Sequence, residues 1–222
     1  MPKVRLSETP VQITTVVSEM FAENAFIVHL KDRNDCIVID PSFDTESIVQ
    51  YLTKNNLKVA AILNTHGHTD HIVGNKAIKL QFPDAPLIIG VDDAPKLTDP
   101  QLNLSASYGF EIVSPPADQT VVHGEIIEFA GLRLETRNTP GHSCGHVVWI
   151  CHDTTPTVAI NGDVLFAGSI GRTDFPDGNL QDLELSIRQQ LYTLPADTLV
   201  LTGHGNTTTI GHEKQYNPFV SE

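Results

Sequence analysis

Cysteine is scarce: the 222 residues hold three, Cys36, Cys144 and Cys151. An odd, low number excludes a disulfide framework and fits reduced thiols in a cytosolic compartment. Basic residues are outnumbered, since 14 Lys and Arg face 27 Asp and Glu and leave a formal charge of −13. That balance argues against nucleic acid, whose binders carry a basic face. It also means that an anionic substrate needs a local cation, because the overall field repels it. No apolar run approaches the ~20 residues of a membrane span. The opening MPKVRLSETPVQITTVV lacks the apolar stretch and small-residue cleavage site of a signal peptide. No low-complexity tract, charge block or Gly/Ser linker divides the chain. These absences predict a soluble, cytoplasmic protein folding as a single domain over 1–222. Its 40% apolar content supplies a sizeable core without staples.

What is present reads as strands with interspersed helices. Val11–Val17, Ala25–Leu30 and Cys36–Asp40 are rich in Val, Ile and Thr and predict strands. Ile48, Val49 and Leu52 carry helical spacing over Thr45 to Leu52, with Asp44 as the N-cap. Val59–Leu63 is a continuous apolar run, as a strand covered on both faces requires. A helix over Ile72 to Leu80 and a buried strand over Pro86–Gly90 follow. Val121–Val122, Ile126–Ala130 and Leu132–Arg137 read as a meander. Val147–Cys151, Thr157–Ile160 and Thr198–Leu201 read as further strands, and Leu180–Leu191 as the longest helix. Strands and helices in both halves predict an α+β protein of two sheets packed face to face with helices outside.

Histidine is abundant, with ten in the chain. Residues 65–71 read Thr-His-Gly-His-Thr-Asp-His. On a helix His66 and His68 would point to opposite sides, about 200° apart. The segment is therefore a loop, and Gly67 lets it turn tightly. It leaves the carboxyl end of a buried strand, where layered α/β proteins place their sites. Three imidazoles and a carboxylate in six residues make a nitrogen and oxygen donor set of the kind that holds zinc or iron. The same arrangement recurs. His142 follows the strand over Leu132–Arg137, Asp163 follows Thr157–Ile160, and His204 follows Thr198–Leu201. Each is a polar donor flanked by Gly just past an apolar strand.

His66-x-His68-x-Asp70-His71 followed by His142, Asp163 and His204 resembles the metallo-β-lactamase superfamily, in order and along essentially the whole chain. The resemblance implies an αββα sandwich with two divalent metal ions at one edge, most simply Zn2+, with Fe or Mn as alternatives. It implies one site from His66, His68 and His142, and a second from Asp70, His71 and His204, with Asp163 bridging both. The Asp bridge separates the chain from the true β-lactamases of the superfamily. Gly171-Arg-Thr-Asp-Phe175, Thr209-Ile-Gly211 and Asn217-Pro-Phe219 are similar to the short form of the glyoxalase II-like hydrolases. That likeness implies hydrolysis of a small-molecule thioester such as S-lactoylglutathione by a metal-bridging hydroxide, with Asp70 as ligand and orienting base.

Other positions carry two readings each. Asp40 either accepts a hydrogen bond from a ligating imidazole or starts the turn before Pro41. Arg172 either binds an anionic thioester or pairs with Asp174 or Asp177. Phe175 either lines the pocket or belongs to the core. His146 reads as a structural hydrogen-bonding residue, and Cys144 as a loop residue. The long form of glyoxalase II grips glutathione with a helical domain after its last metal histidine. Here 18 residues follow His204, so that grip must come from elsewhere, or the thiol carrier differs. The rival enzyme reading is a persulfide dioxygenase, which resembles the chain in the same motifs and holds one iron by the equivalents of His66, His142 and Asp163. A lactone hydrolase is a further alternative, and a non-catalytic interaction protein is the rival outside enzymology. Oligomeric state is not encoded in any feature of the sequence.

Overall fold

The structure, a computed structural model, describes residues 10–221. Six strands form the first sheet in chain order: β1 (Val11–Val17), β2 (Asn24–Leu30), β3 (Asp35–Ile39), β4 (Lys58–Leu63), β5 (Leu87–Gly90) and β6 (Gln119–Val121). The first three pair antiparallel, and β3 to β6 run parallel. Helices α1 (Thr45–Lys54), α2 (Thr69–Ile72) and α3 (Asn75–Gln81) occupy the crossovers. The second sheet contains β7 (Ile126–Phe129), β8 (Leu132–Asn138), β9 (Val147–Cys151) and β10 (Val158–Gly162). A short hairpin follows, β11 (Leu165–Phe166) with β12 (Ser169–Ile170). The sheet is completed by β13 (Leu199–Thr202) and β14 (Thr208–Thr209), giving the order β14-β13-β10-β9-β8-β7. Helices α4 (Leu180–Ser186) and α5 (Ile210–Tyr216) belong to this half.

Strand periodicity explains the layers. In β9, Val147, Trp149 and Cys151 point into the core between the sheets, and Val148 and Ile150 point outward beneath α4 and α5. In β3, Ile37 and Ile39 face that inter-sheet core, and Cys36 and Val38 face the helical layer of α1 and α3. A strand buried on both faces must be apolar throughout, and β3 and β9 are. Three apolar layers result, with the α+β, αββα order that the sequence predicts.

Four local expectations need correction. The helix over Ile72–Leu80 is two helices: the first starts at Thr69, so Asp70 and His71 of the expected loop lie on it, and the break at Val73-Gly74 comes where the Gly74 amide donates to the Pro41 carbonyl at 2.8 Å. The helix over Leu180–Leu191 changes to wider π-type turns across Ile187–Leu191. The meander is split between sheets. β6 adds to the first sheet beside β5, and the chain crosses to the second at His123-Gly124, where Gly124 takes φ +82°. Asp44 precedes α1, but its carboxylate accepts from the Glu19 amide at 2.8 Å instead of capping the helix. No helix among the described residues is long and apolar enough to cross a membrane.

Candidate metal centre

The seven donors arrive from four segments at one edge of the sandwich. His66 and His68 follow β4, Asp70 and His71 lie on α2, His142 follows β8, Asp163 follows β10 and His204 follows β13. Parallel β10 and β13 place Asp163 and His204 side by side. Gly203 makes that approach possible, because a Cβ there would overlap Asp163 Oδ1 and come within 2.9 Å of His71 Cε1. Gly67 has a different task from the one its sequence context suggests. Its φ is ordinary, and it is small because Lys96 packs against it.

Two triads result. Donor atoms of His66, His68 and His142 lie within 4.8 Å of one another, as do those of Asp70, His71 and His204. Asp163 stands between them. Its Oδ2 is 3.5 Å from His142 Nε2 and 3.4 Å from His204 Nε2, and its Oδ1 is 3.5 Å from His71 Nε2. His68 Nδ1 faces His142 Nε2 at 2.9 Å.

The surrounding hydrogen bonds fix which ring nitrogen points inward. His71 Nδ1 donates to Asp40 Oδ2 at 3.1 Å, His142 Nδ1 to the Arg172 carbonyl at 2.8 Å and His204 Nδ1 to the Phe21 carbonyl at 3.1 Å. His66 Nδ1 meets the Thr65 hydroxyl at 3.0 Å, and that hydroxyl donates to Asp40 Oδ2 at 2.7 Å. Partners of this kind orient ligating imidazoles and fix their tautomers. Asp40 therefore serves two imidazoles, one directly and one through Thr65. It holds φ +49°, a strained angle for a residue with a side chain. His146 is structural: it accepts from the Asp163 amide at 3.2 Å and stacks on His66.

Charge divides between the triads. Burial, joined by neighbouring imidazoles, pushes His66 and His68 well below the usual histidine range. Burial also lowers His142, against the pull of Asp163. Burial opposes charge on His71 as well, but Asp163 and Asp70 outweigh it and raise the ring well above the usual histidine range. For His204 the hydrogen bonds to Asp163 and Asp70 outweigh burial and raise it to about 10. Burial penalises the Asp163 carboxylate, yet His71 and His204 hold it well below its ordinary range.

The fit to a cation rests on stranded atoms. His66 Nε2, His71 Nε2 and Asp163 Oδ1 are buried and lack a hydrogen-bond partner. Buried polar atoms without partners are costly, and these belong to residue types that ligate zinc or iron. The donor set fits a pair of cations.

His68, Asp70, His142, Asp163 and His204 form the floor of an open cleft of about 300 Å³. Phe21, Tyr108, Phe166, Ile170 and Phe175 supply its apolar wall. Phe175 packs edge-on to His68 and His142, with ring centroids 4.9 and 5.4 Å away. Arg172 lines the cleft, and both of its sequence readings have substance. Its guanidinium is paired to Asp174 at 2.8 Å and lies over Phe175 at 4.7 Å, and its carbonyl holds His142. Sequence reasoning missed Asp93, Lys96 and Glu23. Asp93 follows the strand-end Gly90 as the metal donors follow theirs, and that pattern was its one visible signal. Glu23 is fully buried, 3.7 Å from His71 Nδ1, and burial raises its carboxyl well above the usual range.

Comparison with known proteins agrees with this architecture. The chain is 38% identical over 199 residues to the probable metallo-hydrolase YqgX of Bacillus subtilis, covering 89% of this chain and 92% of that one. It is 35% identical over 204 residues to the hydroxyacylglutathione hydrolase GloC of Haemophilus influenzae, covering 90% and 94%. Among solved structures, BLEG-1 B3 metallo-β-lactamase superposes with a TM-score of 0.90 at 33% identity, over 95% of this chain and all of that one. The family model of the metallo-β-lactamase superfamily matches residues 20–204. That span encloses every donor in the cleft, and the chain belongs to the metallo-β-lactamase superfamily.

Proposed function

We propose that this protein is a metal-dependent hydrolase of small-molecule thioesters, S-lactoylglutathione among them. The observation that carries the reading is Asp163 set between a buried donor triad and a partly buried one at the floor of a cleft. In this reading His66, His68 and His142 would hold one cation and Asp70, His71 and His204 a second, with Asp163 available to both. Bound cations of this kind lower the pKa of water from about 15.7 towards about 7 and polarise a carbonyl. The chain's own residues do the rest. Asp70 Oδ2, 3.3 Å from His204 Nε2, borders the cleft and can orient the attacking water. The wall of Phe21, Tyr108, Phe166 and Phe175 excludes bulk water and receives the apolar part of the substrate. Arg172 stands at the rim as the cation for an anionic carrier, in competition with Asp174. The relative named hydroxyacylglutathione hydrolase supports the thioester.

The test is metal content per chain in protein purified without added metal, followed by assay on a substrate panel. Close to two metals, with hydrolysis of S-lactoylglutathione, is the expected result. Asp163→Ala should lower kcat/KM about a thousandfold or more, equivalent to about 4 kcal/mol of barrier, with the circular dichroism unchanged. Full activity in metal-depleted or Asp163→Ala protein overturns the proposal. So do a single iron with oxygen uptake on glutathione persulfide, or turnover confined to lactones or β-lactams. Arg172→Ala should raise KM for S-lactoylglutathione less than about fivefold, because an exposed pair of this kind contributes at most about 1 kcal/mol.

A further inference from the structure

Beside the first triad lies a buried charged cluster that no step of the proposed reaction uses. Asp93, on the turn after β5, is fully buried. Its Oδ2 accepts from the Gly67 amide at 2.7 Å, between His66 and His68. Its Oδ1 accepts from the Gly145 amide at 2.8 Å, and both oxygens lie 2.6 Å from Ser143 Oγ, adjacent to His142. Lys96 Nζ contacts Ser143 Oγ and sits 3.1 Å from Asp93 and 2.6 Å from Asp177. Asp177 in turn accepts from the Cys144 amide at 3.1 Å. Asp93, Cys144 and Asp177 cluster tightly enough to suggest a further metal site, but the Lys96 ammonium already pairs with both carboxylates. The backbone is fitted to this cluster. A Cβ at Gly145 would overlap the Asp93 amide, one at Gly90 would overlap the Gly145 carbonyl, and one at Gly67 would press into Lys96.

One carboxylate therefore ties together two loops that are 74 residues apart in sequence at His68 and His142. Apart from its pair with Lys96, its side-chain hydrogen bonds come from Gly67, between His66 and His68, and from Ser143, Cys144 and Gly145, just after His142. None goes to the loop of His204 or to Asp70 and His71.

We infer that Asp93 is a positioning residue for the His66–His68–His142 half of the centre, and for that half alone. The inference rests on the metal-ligand reading of the two triads. Asp93 sets the distance between His68 and His142 before any cation arrives. Lys96 holds its charge, and Asp177 fastens the assembly from outside.

The experiment is zinc competition against a chromogenic chelator on the full chain. Cobalt substitution of wild type, Asp93→Asn, Ser143→Ala and Asp177→Asn accompanies it. Loss of an orienting partner of this kind costs about 10–100-fold in metal affinity. Asp93→Asn should weaken one of two bound metals by that factor and leave the other within about threefold. Its residual one-cobalt spectrum should match that of His142→Ala and not that of His204→Ala. Ser143→Ala and Asp177→Asn keep the Asp93 carboxylate and should weaken the same metal by a smaller factor, so they decide the matter if Asp93→Asn does not fold. Equal weakening of both metals, or no selective change in any folded variant, overturns the clamp. Wild type that binds no metal overturns the ligand reading itself, whereas failure to hydrolyse thioesters touches neither result.

Discussion

The two triads at the cleft floor are built in opposite ways. The His66–His68–His142 half is all imidazole, and burial keeps its rings neutral. Its order comes from outside, through Asp93, Lys96 and Ser143 acting on backbone amides and loop side chains. The Asp70–His71–His204 half mixes a carboxylate with imidazoles. Asp40 and the Phe21 carbonyl orient its rings, and hydrogen bonds to Asp163 and Asp70 outweigh burial and raise His204 to about 10. Asp93 makes no hydrogen bond to this half. One site can thus combine a half framed by a buried carboxylate cluster with a half whose own carboxylate faces its imidazoles.

Removing the metals is the largest perturbation of this comparison. A ligand at a thousandfold excess over its Kd stabilises the native state by about 4 kcal/mol. In a chain of this size that is roughly 8–16 °C in Tm at 2–4 °C per kcal/mol. Stepwise chelation followed by calorimetry should show two separate decrements, one per triad, if the halves are independent. A single joint decrement would break the distinction. Asp40→Asn is the counterpart to Asp93→Asn. Asp40 holds His71 directly and His66 through Thr65, so this variant should weaken both metals by about 10–100-fold. Weakening of one metal alone, measured by the same chelator competition, would show that the Thr65 relay transmits nothing.

The donors that the cleft brings together were legible in the sequence, and most of their frame was not. His66, His68, His71, His142 and His204 stand just beyond apolar strands, where a polar donor beside a glycine marks a strand-end loop. The continuous apolar run over Val59–Leu63 marked β4 as covered on both faces, and its side chains do divide between two apolar layers. Asp40 showed itself as the acid ending a strand near the ligand loop. Asp93 ends a comparable turn, but its role depends on Gly90 meeting the Gly145 backbone, a tertiary approach with no sequence period. β6 was assigned to the wrong neighbours for a similar reason, since alternation is the same in whichever sheet a strand joins. The break at Gly74 depends on the Pro41 carbonyl, 33 positions earlier in the chain. Arg172 carried two readings in the sequence, and the structure shows the pair with Asp174 and the cleft position together.

The smallest expected effect concerns the outer fastening of the first triad. Burial penalises the Asp177 carboxylate, but the hydrogen bond from Lys96 and that from the Cys144 amide outweigh it and hold the group at about 2, against an ordinary 3.8. A depressed carboxylate stabilises the fold above its unfolded pKa, and that contribution disappears as pH falls through the folded value. At 1.36 kcal/mol per pH unit of displacement, and with part of the group in solvent, the contribution is at most about 2 kcal/mol. Asp177→Asn should therefore lower Tm by roughly 4–8 °C at most at pH 7. The difference from wild type should shrink between about pH 5 and pH 2 and vanish below it. Thermal melts of metal-free protein across that range check this without involving the ligands. A difference that stays constant down to pH 2 would mean that Asp177 acts through packing, and the scaffolded half would then be fastened by Asp93 and Lys96 alone.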